Sequence, residues 1–199
     1  MSNKKTQQPQ IDELFQIKKI VLDAFPILLL SLFGSILAGI VLGGMENTLE
    51  ILPGLIVVIP AMLDMRGNIY GALGSRISTG LHQGLLDPAQ LNDQHLRNAI
   101  TASLINSTLV SFLLAIIAWL ILKTLNQQAI PIHQLALITL IAGILSGIIL
   151  TIIVTTAVYQ SYKRGLNPDD IVGPVVTVTG DIFSITILFL VAKLITGGI

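Results

Sequence analysis

The polar residues of this chain are gathered into short patches separated by long apolar runs. Residues 24–45, 98–122 and 124–162 contain no Asp, Glu, Lys or Arg, whereas seven charges fall between Lys4 and Asp23. Apolar runs beyond about 18 residues are membrane spans rather than core helices, and a bilayer core of roughly 30 Å takes about 20 helical residues. The pattern predicts five spans, at about Pro26–Gly44, Leu49–Leu81, Ala99–Leu122, Pro131–Tyr159 and Pro168–Thr196. The second is expected to be interrupted by Pro53, Pro60 and the polar run Asp64–Asn68. Ahead of the first, Ile11, Leu14, Phe15, Lys18, Val21, Leu22 and Phe25 lie at helical spacing. An amphipathic helix on the membrane interface is expected there. The fold class is therefore all-α, a polytopic membrane protein with an N-terminal tail and interfacial helix (1–25) and a transmembrane domain (26–199).

Composition sharpens this reading. Of 199 residues, 53% are hydrophobic and 11% charged, against about 25% charged in a soluble domain. A soluble enzyme and a nucleic-acid binder with a basic face are excluded. There is no cysteine, which removes disulfides and thiolate metal sites. The N-terminus carries no cleavable signal pattern. Lys4, Lys5, Lys18, Lys19, Arg97, Lys163 and Arg164 fall on one side of the five spans, Lys123 and Lys193 on the other. The positive-inside rule puts the N-terminus in the cytoplasm and the C-terminus outside, with Glu46 and Glu50 at the outer mouth. Small residues at Gly34, Ala38 and Gly39, and at Ala142, Gly143, Ser146 and Gly147, suit close helix packing.

Ionisable groups inside lipid are functional candidates by default. Asp181 stands ten residues beyond Ile171 and eleven before Ala192, near the bilayer midplane. Gly173, Thr177, Asp181, Ser184 and Leu188 follow three- and four-residue steps and form one stripe, a candidate pore wall. Pro174 and Gly180 loosen the backbone beside it. The competing reading pairs Asp181 with Arg66 or Arg76. Asp64, Arg66 and Asn68 form a second cluster, either a broken helix lining a cavity or an Asp64–Arg66 pair neutralising itself. Asn167-Pro168-Asp169-Asp170 reads as a helix start with cap, proline and acids in place. Asp169 and Asp170 also suit a cation-attracting cytoplasmic mouth. His82, His95 and His133 are read as loop or span-end residues and are expected to be solvated.

Two stretches carry a family resemblance. Ile59-Pro60-Ala61-Met62-Leu63-Asp64-Met65-Arg66-Gly67-Asn68, followed by Ala72-Leu73-Gly74-Ser75-Arg76-Ile77-Ser78-Thr79, resembles the second span of the MgtE magnesium transporter family, closest to its eukaryotic solute-carrier branch. Asn167-Pro168-Asp169-Asp170 with Pro174 and Gly180-Asp181 resembles that family's fifth span. The resemblance implies a symmetric dimer enclosing a cation pore, with Asp181 as pore acid and Gly67-Asn68 in the lining. It implies Mg²⁺ as the transported and bound ion at Asp181; the polar stripe of the fifth span adds Thr177 as a ligand and Gly173 and Ser184 as lining, and the polar cluster of the second span adds Asp64. Asp64 departs from the family pattern. Only about 25 residues precede the spans, where bacterial relatives carry sensor domains with paired CBS modules. The eukaryotic branch resembles two such units in one chain, so the partner is a second copy or a related half-unit in the membrane lipid.

Two Asp181 side chains facing each other across a two-fold axis would repel, and a divalent cation neutralises both. Mg²⁺ keeps several waters and contacts one or two carboxylates, and the lack of thiol and embedded imidazole ligands argues against a soft-metal site. The expected function is a Mg²⁺ channel or transporter in the cell membrane, with a Na⁺- or H⁺-coupled exchanger as the alternative. An intramembrane aspartyl protease built on Asp64 and Asp181 is weaker, because Val178 and Leu63 stand where its motifs need Gly and Tyr. A non-transporting scaffold predicts no flux.

Overall fold

The computed structural model describes residues 17–90 and 92–197. These form six helices: α1 (Ile17–Gly43), α2 (Glu46–Ile51), α3 (Leu55–His82), α4 (Gln94–Thr124), α5 (Ile132–Lys163) and α6 (Pro168–Ile195), with no strand among the described residues. Five segments are long and apolar enough to cross a membrane: Phe25–Gly43 in α1, and α3 to α6 in full. The all-α, five-span expectation holds.

Two boundaries differ from those the sequence suggested. Over residues 17–25 the chain is part of α1, which runs without interruption through Pro26 into the first span. A separate interfacial element is not seen there, and Ile11, Leu14 and Phe15 lie outside the described residues. The second expected span breaks at Leu52-Pro53-Gly54, not at residues 64–68. Gly54 adopts φ +101°, a left-handed conformation that favours glycine, and a Cβ there would lie 2.9 Å from Leu122 Cδ1. Beyond it, α3 is continuous through Pro60 and the polar run. Proline deprives only the carbonyl four residues earlier of its donor. The polar side chains of 64–68 find partners without unwinding the helix, as described below.

The helix starts follow local chemistry. Asn167 caps α6, its side chain accepting the Asp169 backbone N–H at 3.3 Å, with Pro168 in the first turn. Asp93 caps α4, accepting from the backbone N–H groups of His95 at 2.6 Å and Leu96 at 3.4 Å. These donors hold the Asp93 carboxyl below the usual carboxylate range, the His95 N–H contributing most.

α6 is the hub, packing against α5, α1 and α3, while α5 also packs on α4 and α3. The apolar interior divides into two clusters. One gathers Leu55, Val58, Ile59, Met62, Ala115, Ile138, Ile185 and Leu188. The other gathers Leu73, Ile77, Leu81, Leu96, Leu150, Val154, Val172 and Val176. On each of α3 to α6 small or polar residues stand between the clusters: Arg66, the Ser103–Ser107–Ser111 ladder, Gly143, Ser146 and Gly147, and Gly180, Asp181 and Ser184. A polar layer therefore crosses the bundle at mid-height.

Candidate functional site

The middle layer contains the two charged side chains that sequence reasoning singled out at depth, Arg66 and Asp181, and the structure separates them. Gly180 faces α3, where a Cβ would stand 3.8 Å from Arg66 Cβ. Asp181 is one residue and about 100° further round α6. It is half-buried, and its carboxyl neighbours Ser35 of α1. The Arg66 guanidinium runs away from it, toward α4 and α5. Neither Arg66 nor Arg76 pairs with Asp181. Among the described residues the ion pair found is His95–Asp93, at 3.1 Å and outside the spans.

Two close approaches fix the register of α3 on α6. Arg66 meets Gly180, and Gly74 meets Val172, where a Cβ would lie 2.9 Å from Val172 Cγ2. Eight residues forward along α3 match eight backward along α6, so the helices run antiparallel without slippage. Asp181 is then level with Met65, and Thr177 with Ile69. At about 1.5 Å per residue, Asp64 lies about 1.5 Å in height from Asp181, and Asn68 about 1.5 Å from Thr177. The four candidate polar residues thus occupy two adjoining levels about 6 Å apart, one helical turn, Asp64 with Asp181 and Asn68 with Thr177.

Their exposure forms a path on the bundle surface. On α6, Asp170, Gly173 and Thr177 are exposed and Asp181 is half-buried, while Asp169 and Asp170 stand free at the helix start. Thr177 Oγ1 donates to the Gly173 carbonyl at 3.1 Å, which leaves its lone pairs available. The stripe then turns inward: Ser184 and Leu188 are each 1% exposed and belong to the core. Ser184, expected to line the same wall, is thus not on the open face. On α3, Asp64, Asn68, Ser75 and Thr79 are exposed at helical spacing, and Gly67 is half-buried with nothing within 4 Å of a Cβ built on it.

Asn68 Nδ2 donates to Asp64 Oδ2 at 3.1 Å, so the Asp64 partner is Asn68 and not Arg66. The spacing dictates this. Residues four apart share a helix face, and residues two apart do not. At the α2 end of the bundle, Glu46 and Glu50 line a cavity of about 620 Å³ together with Gly43, Ile56 and Pro60. At the opposite end, Arg76 is exposed and lines another of about 400 Å³ with Gln83 and His95. His82, His95 and His133 sit at helix ends and are exposed. Among the described residues no three His, Asp or Glu side chains come together as a metal-binding group. One chain presents Asp181, Thr177 and the Asp64–Asn68 pair, a set suited to an ion that keeps much of its water.

Sequence reasoning missed how Arg66 is held. It is 2% exposed, and it donates through Nη1 to Ser107 Oγ and through Nη2 to Ser111 Oγ at 3.4 Å. Ser107 Oγ in turn donates to the Gly143 carbonyl at 3.3 Å, and Ser111 Oγ to the Ser107 carbonyl at 2.7 Å. Gly143 and Gly147 leave room for Ser111 and the Tyr70 hydroxyl. The available signal was the four-residue spacing of Ser103, Ser107 and Ser111 inside an otherwise apolar span.

Comparison with known proteins bears on this site. Residues 59–191 match the family described as MgtE, divalent cation transporter. The chain is 29% identical over 175 residues to solute carrier family 41 member 3 of Rattus norvegicus, covering 85% of this chain and 37% of the relative. It is 29% identical over 168 residues to solute carrier family 41 member 2 of Xenopus laevis, and 27% identical over 168 residues to the Homo sapiens member 2. Each of these alignments covers 80% of this chain and 29% of the relative. The chain thus spans about a third of the length of the curated relatives it matches.

Proposed function

The chain belongs to the MgtE family of divalent cation transporters, and on that premise we propose that two copies enclose a Mg²⁺ pore with the paired Asp181 carboxylates at its midplane. One observation carries this: polar faces of α3 and α6, within one helical turn of each other in height inside the membrane-crossing segments, are uncovered in the single chain. Lipid offers such groups no hydrogen bonds, so a second copy and the water between the copies are their natural surroundings. A related half-unit would serve equally as the partner. The cytoplasm faces the start of α6, and the C-terminus lies outside, by the distribution of Lys and Arg.

The path follows from the exposed stripe. Asp169 and Asp170 concentrate cations at the cytoplasmic mouth, and Gly173 and Thr177 offer a small polar wall leading to Asp181. At the midplane, two carboxylates face one divalent ion that retains several waters, with Asp64 of each copy at the same level and Asn68 beside Thr177 one turn away. Hard oxygen ligands and water suit Mg²⁺, which seldom sheds its full hydration shell. A cluster of acids with no separate coupling site favours flow driven by membrane potential. Coupling to Na⁺ or H⁺ is the second mode.

Flux of Mg²⁺ into proteoliposomes tests this, under imposed voltage, Na⁺ gradient or pH gradient in turn. Wild type should conduct under voltage alone, and Asp181→Asn should lose at least about 90% of the flux with an unchanged elution profile and melting temperature. Full flux by well-folded Asp181→Asn protein defeats the assignment. The chain lacks cysteine, so Thr177→Cys alone reports the pairing: cross-linked dimer is expected, and exclusively monomeric product under oxidation counts against facing α6 helices.

A further inference from the structure

The last turns of α3 carry an arginine that the ion path does not use. Arg76 is exposed, and no acid pairs with it among the described residues. Height indicates its surroundings. The 28 residues of α3 span about 42 Å at about 1.5 Å each, close to the roughly 40–45 Å of a bilayer with its headgroups. Arg76 stands six residues before His82, so it lies about 9 Å inside that end of the helix. That depth is near the boundary between headgroups and hydrocarbon.

Arg76 lines the cavity of about 400 Å³ at this end of the bundle, together with Thr79, Gln83 and His95. Arg76, Thr79 and Gln83 follow three- and four-residue steps and share one helix face, while His95 comes from the start of α4. The loop after α3 closes the cavity. Gly84 adopts φ +68°, and the chain folds back so that the Leu85 and Leu86 backbone N–H groups donate to the Gly80 carbonyl at 2.8 and 3.1 Å. Leu86 packs over Gly80, where a Cβ would lie 2.8 Å from Leu86 Cδ1, and Leu85 is left exposed beside it. Among the described residues no Asp or Glu lines the cavity. Asp93 is engaged with His95 and with the first backbone N–H groups of α4. The lining therefore offers a guanidinium, a hydroxyl, an amide and an imidazole, a donor set for an oxyanion such as phosphate. Its volume is in the range of small-molecule sites, roughly 300–1,000 Å³.

From Arg76 toward mid-height, the same three- and four-residue steps lead to Ala72, Ile69 and Met65. Ala72 and Met65 are exposed and Ile69 is half-buried. Met65 and Ile69 border α4 beside Val110 and Leu114. An apolar track thus runs from the cavity into the hydrocarbon region along the α3–α4 seam. A free phosphate compound would use the donors alone, whereas an amphiphile uses donors and track together. Basic pockets between membrane helices recognise anionic headgroups in this way. We propose that the cavity binds the phosphate of an anionic membrane phospholipid, with an acyl chain along Ala72, Ile69 and Met65. A choline headgroup would bring its own cation beside Arg76 and is disfavoured. Arg76 lies about 120° round α3 from Asp64, so the proposal depends on the membrane setting and not on the identity of the transported ion.

Thermal unfolding of the purified full chain tests it, in dodecyl maltoside at fixed ionic strength and washed free of phospholipid. Added dioleoyl phosphatidylglycerol should raise the melting temperature by about 2–4 °C and saturate, as a ligand that binds only the folded form requires. Dioleoyl phosphatidylcholine should give a smaller rise. Arg76→Gln should need about tenfold more phosphatidylglycerol for the same rise, the loss of a charge-assisted contact. Arg97→Gln is the control, because Arg97 is exposed on α4 outside the cavity, and it should respond as wild type does. Should Arg76→Gln not fold, Gln83→Glu places a carboxylate in the cavity and should weaken the response equally. Indifference of wild type to phosphatidylglycerol, an equal rise with phosphatidylcholine, or an equal loss in Arg97→Gln would overturn the proposal. So would a full rise with glycerol 1-phosphate alone, which would make the ligand a free phosphate compound.

Discussion

Substituting each of the two glycines on the α3–α6 seam by alanine should move stability in opposite directions. At Gly74 a Cβ would lie 2.9 Å from Val172 Cγ2 and 3.2 Å from Val154 Cγ1. Both neighbours are β-branched and stiff at χ1, so neither can swing away. Overpacking of this kind costs about 1–3 kcal/mol, which outweighs the gain of about 1 kcal/mol from replacing glycine in a helix. At Gly180 the nearest atoms would be Arg66 Cβ at 3.8 Å and Leu150 Cδ1 at 4.0 Å. These are ordinary contacts, so the propensity gain stands alone. Gly74→Ala should melt about 2–5 °C below wild type and Gly180→Ala about 2–4 °C above, at roughly 2–4 °C per kcal/mol for a chain of this size. The assay is thermal unfolding in detergent followed by Trp119 fluorescence. Equal stability of Gly74→Ala and wild type, or a destabilised Gly180→Ala, would refute the antiparallel register and with it the matching of Asp64 to Asp181 and of Asn68 to Thr177. Flux adds a second reading: stabilised but inactive Gly180→Ala protein would mean that the backbone beside Asp181 must flex during conduction.

Two further outcomes separate the site from its scaffold. Asn68→Ala removes the donor to Asp64, and Asp64→Asn removes the charge. Each should shift the apparent Mg²⁺ affinity by about 3–10-fold, of the order of 1 kcal/mol, and alter competition by Ca²⁺ and Mn²⁺, at unchanged melting temperature. Unaltered competition in both variants would take α3 out of the ion path. Asp93 lies outside the spans and its folded pKa is depressed. Its capping stabilisation is therefore present above the unfolded carboxyl value of about 3.9 and is lost as pH falls through the lower folded value. The melting temperature of Asp93→Ala should fall short of wild type at pH 7, and the gap should narrow toward pH 3. A gap independent of pH would place the effect elsewhere than in the carboxylate.

What could be read along the chain was set by solvent, and what could not was set by neighbours. Charge-free runs mark lipid-facing helices whatever packs beside them, so five spans and their approximate ends were legible. The cap at Asn167-Pro168 is a local hydrogen bond and was legible too. Of the three interruptions expected in the second span, the one at Pro53 is found, while Pro60 and the polar run Asp64–Asn68 leave the helix continuous. The break falls where a left-handed glycine, Gly54, follows proline, and where Pro53 O accepts from Ile130 N at 3.0 Å. Ser184 was assigned to the pore stripe by its spacing from Asp181, yet it is buried. A stripe drawn on one helix does not record where neighbouring helices begin to cover it. Arg66 is the same lesson in reverse. Its partners stand 41 and 45 residues away on α4, beyond any periodicity window.

The two mid-height charges are placed back to back, and that arrangement has a consequence for selectivity. Gly180 lets α6 approach Arg66 closely without a side chain between them, while the guanidinium extends to the far side of α3, into the serine ladder. Asp181, on the next position round α6, looks toward α1 and the open stripe. Had the arginine pointed the other way, the pair would have neutralised itself and left no net charge to attract a cation. A buried cation still weakens binding of a divalent ion nearby, and more so in a low-dielectric interior than in water. The turn of the guanidinium to the far side of α3 lengthens its distance from the open stripe and so weakens that effect. With Arg66 turned into the serine ladder, the carboxyl groups of Asp181 and Asp64 are left on the open side of the bundle at mid-height, the surface where two copies would meet.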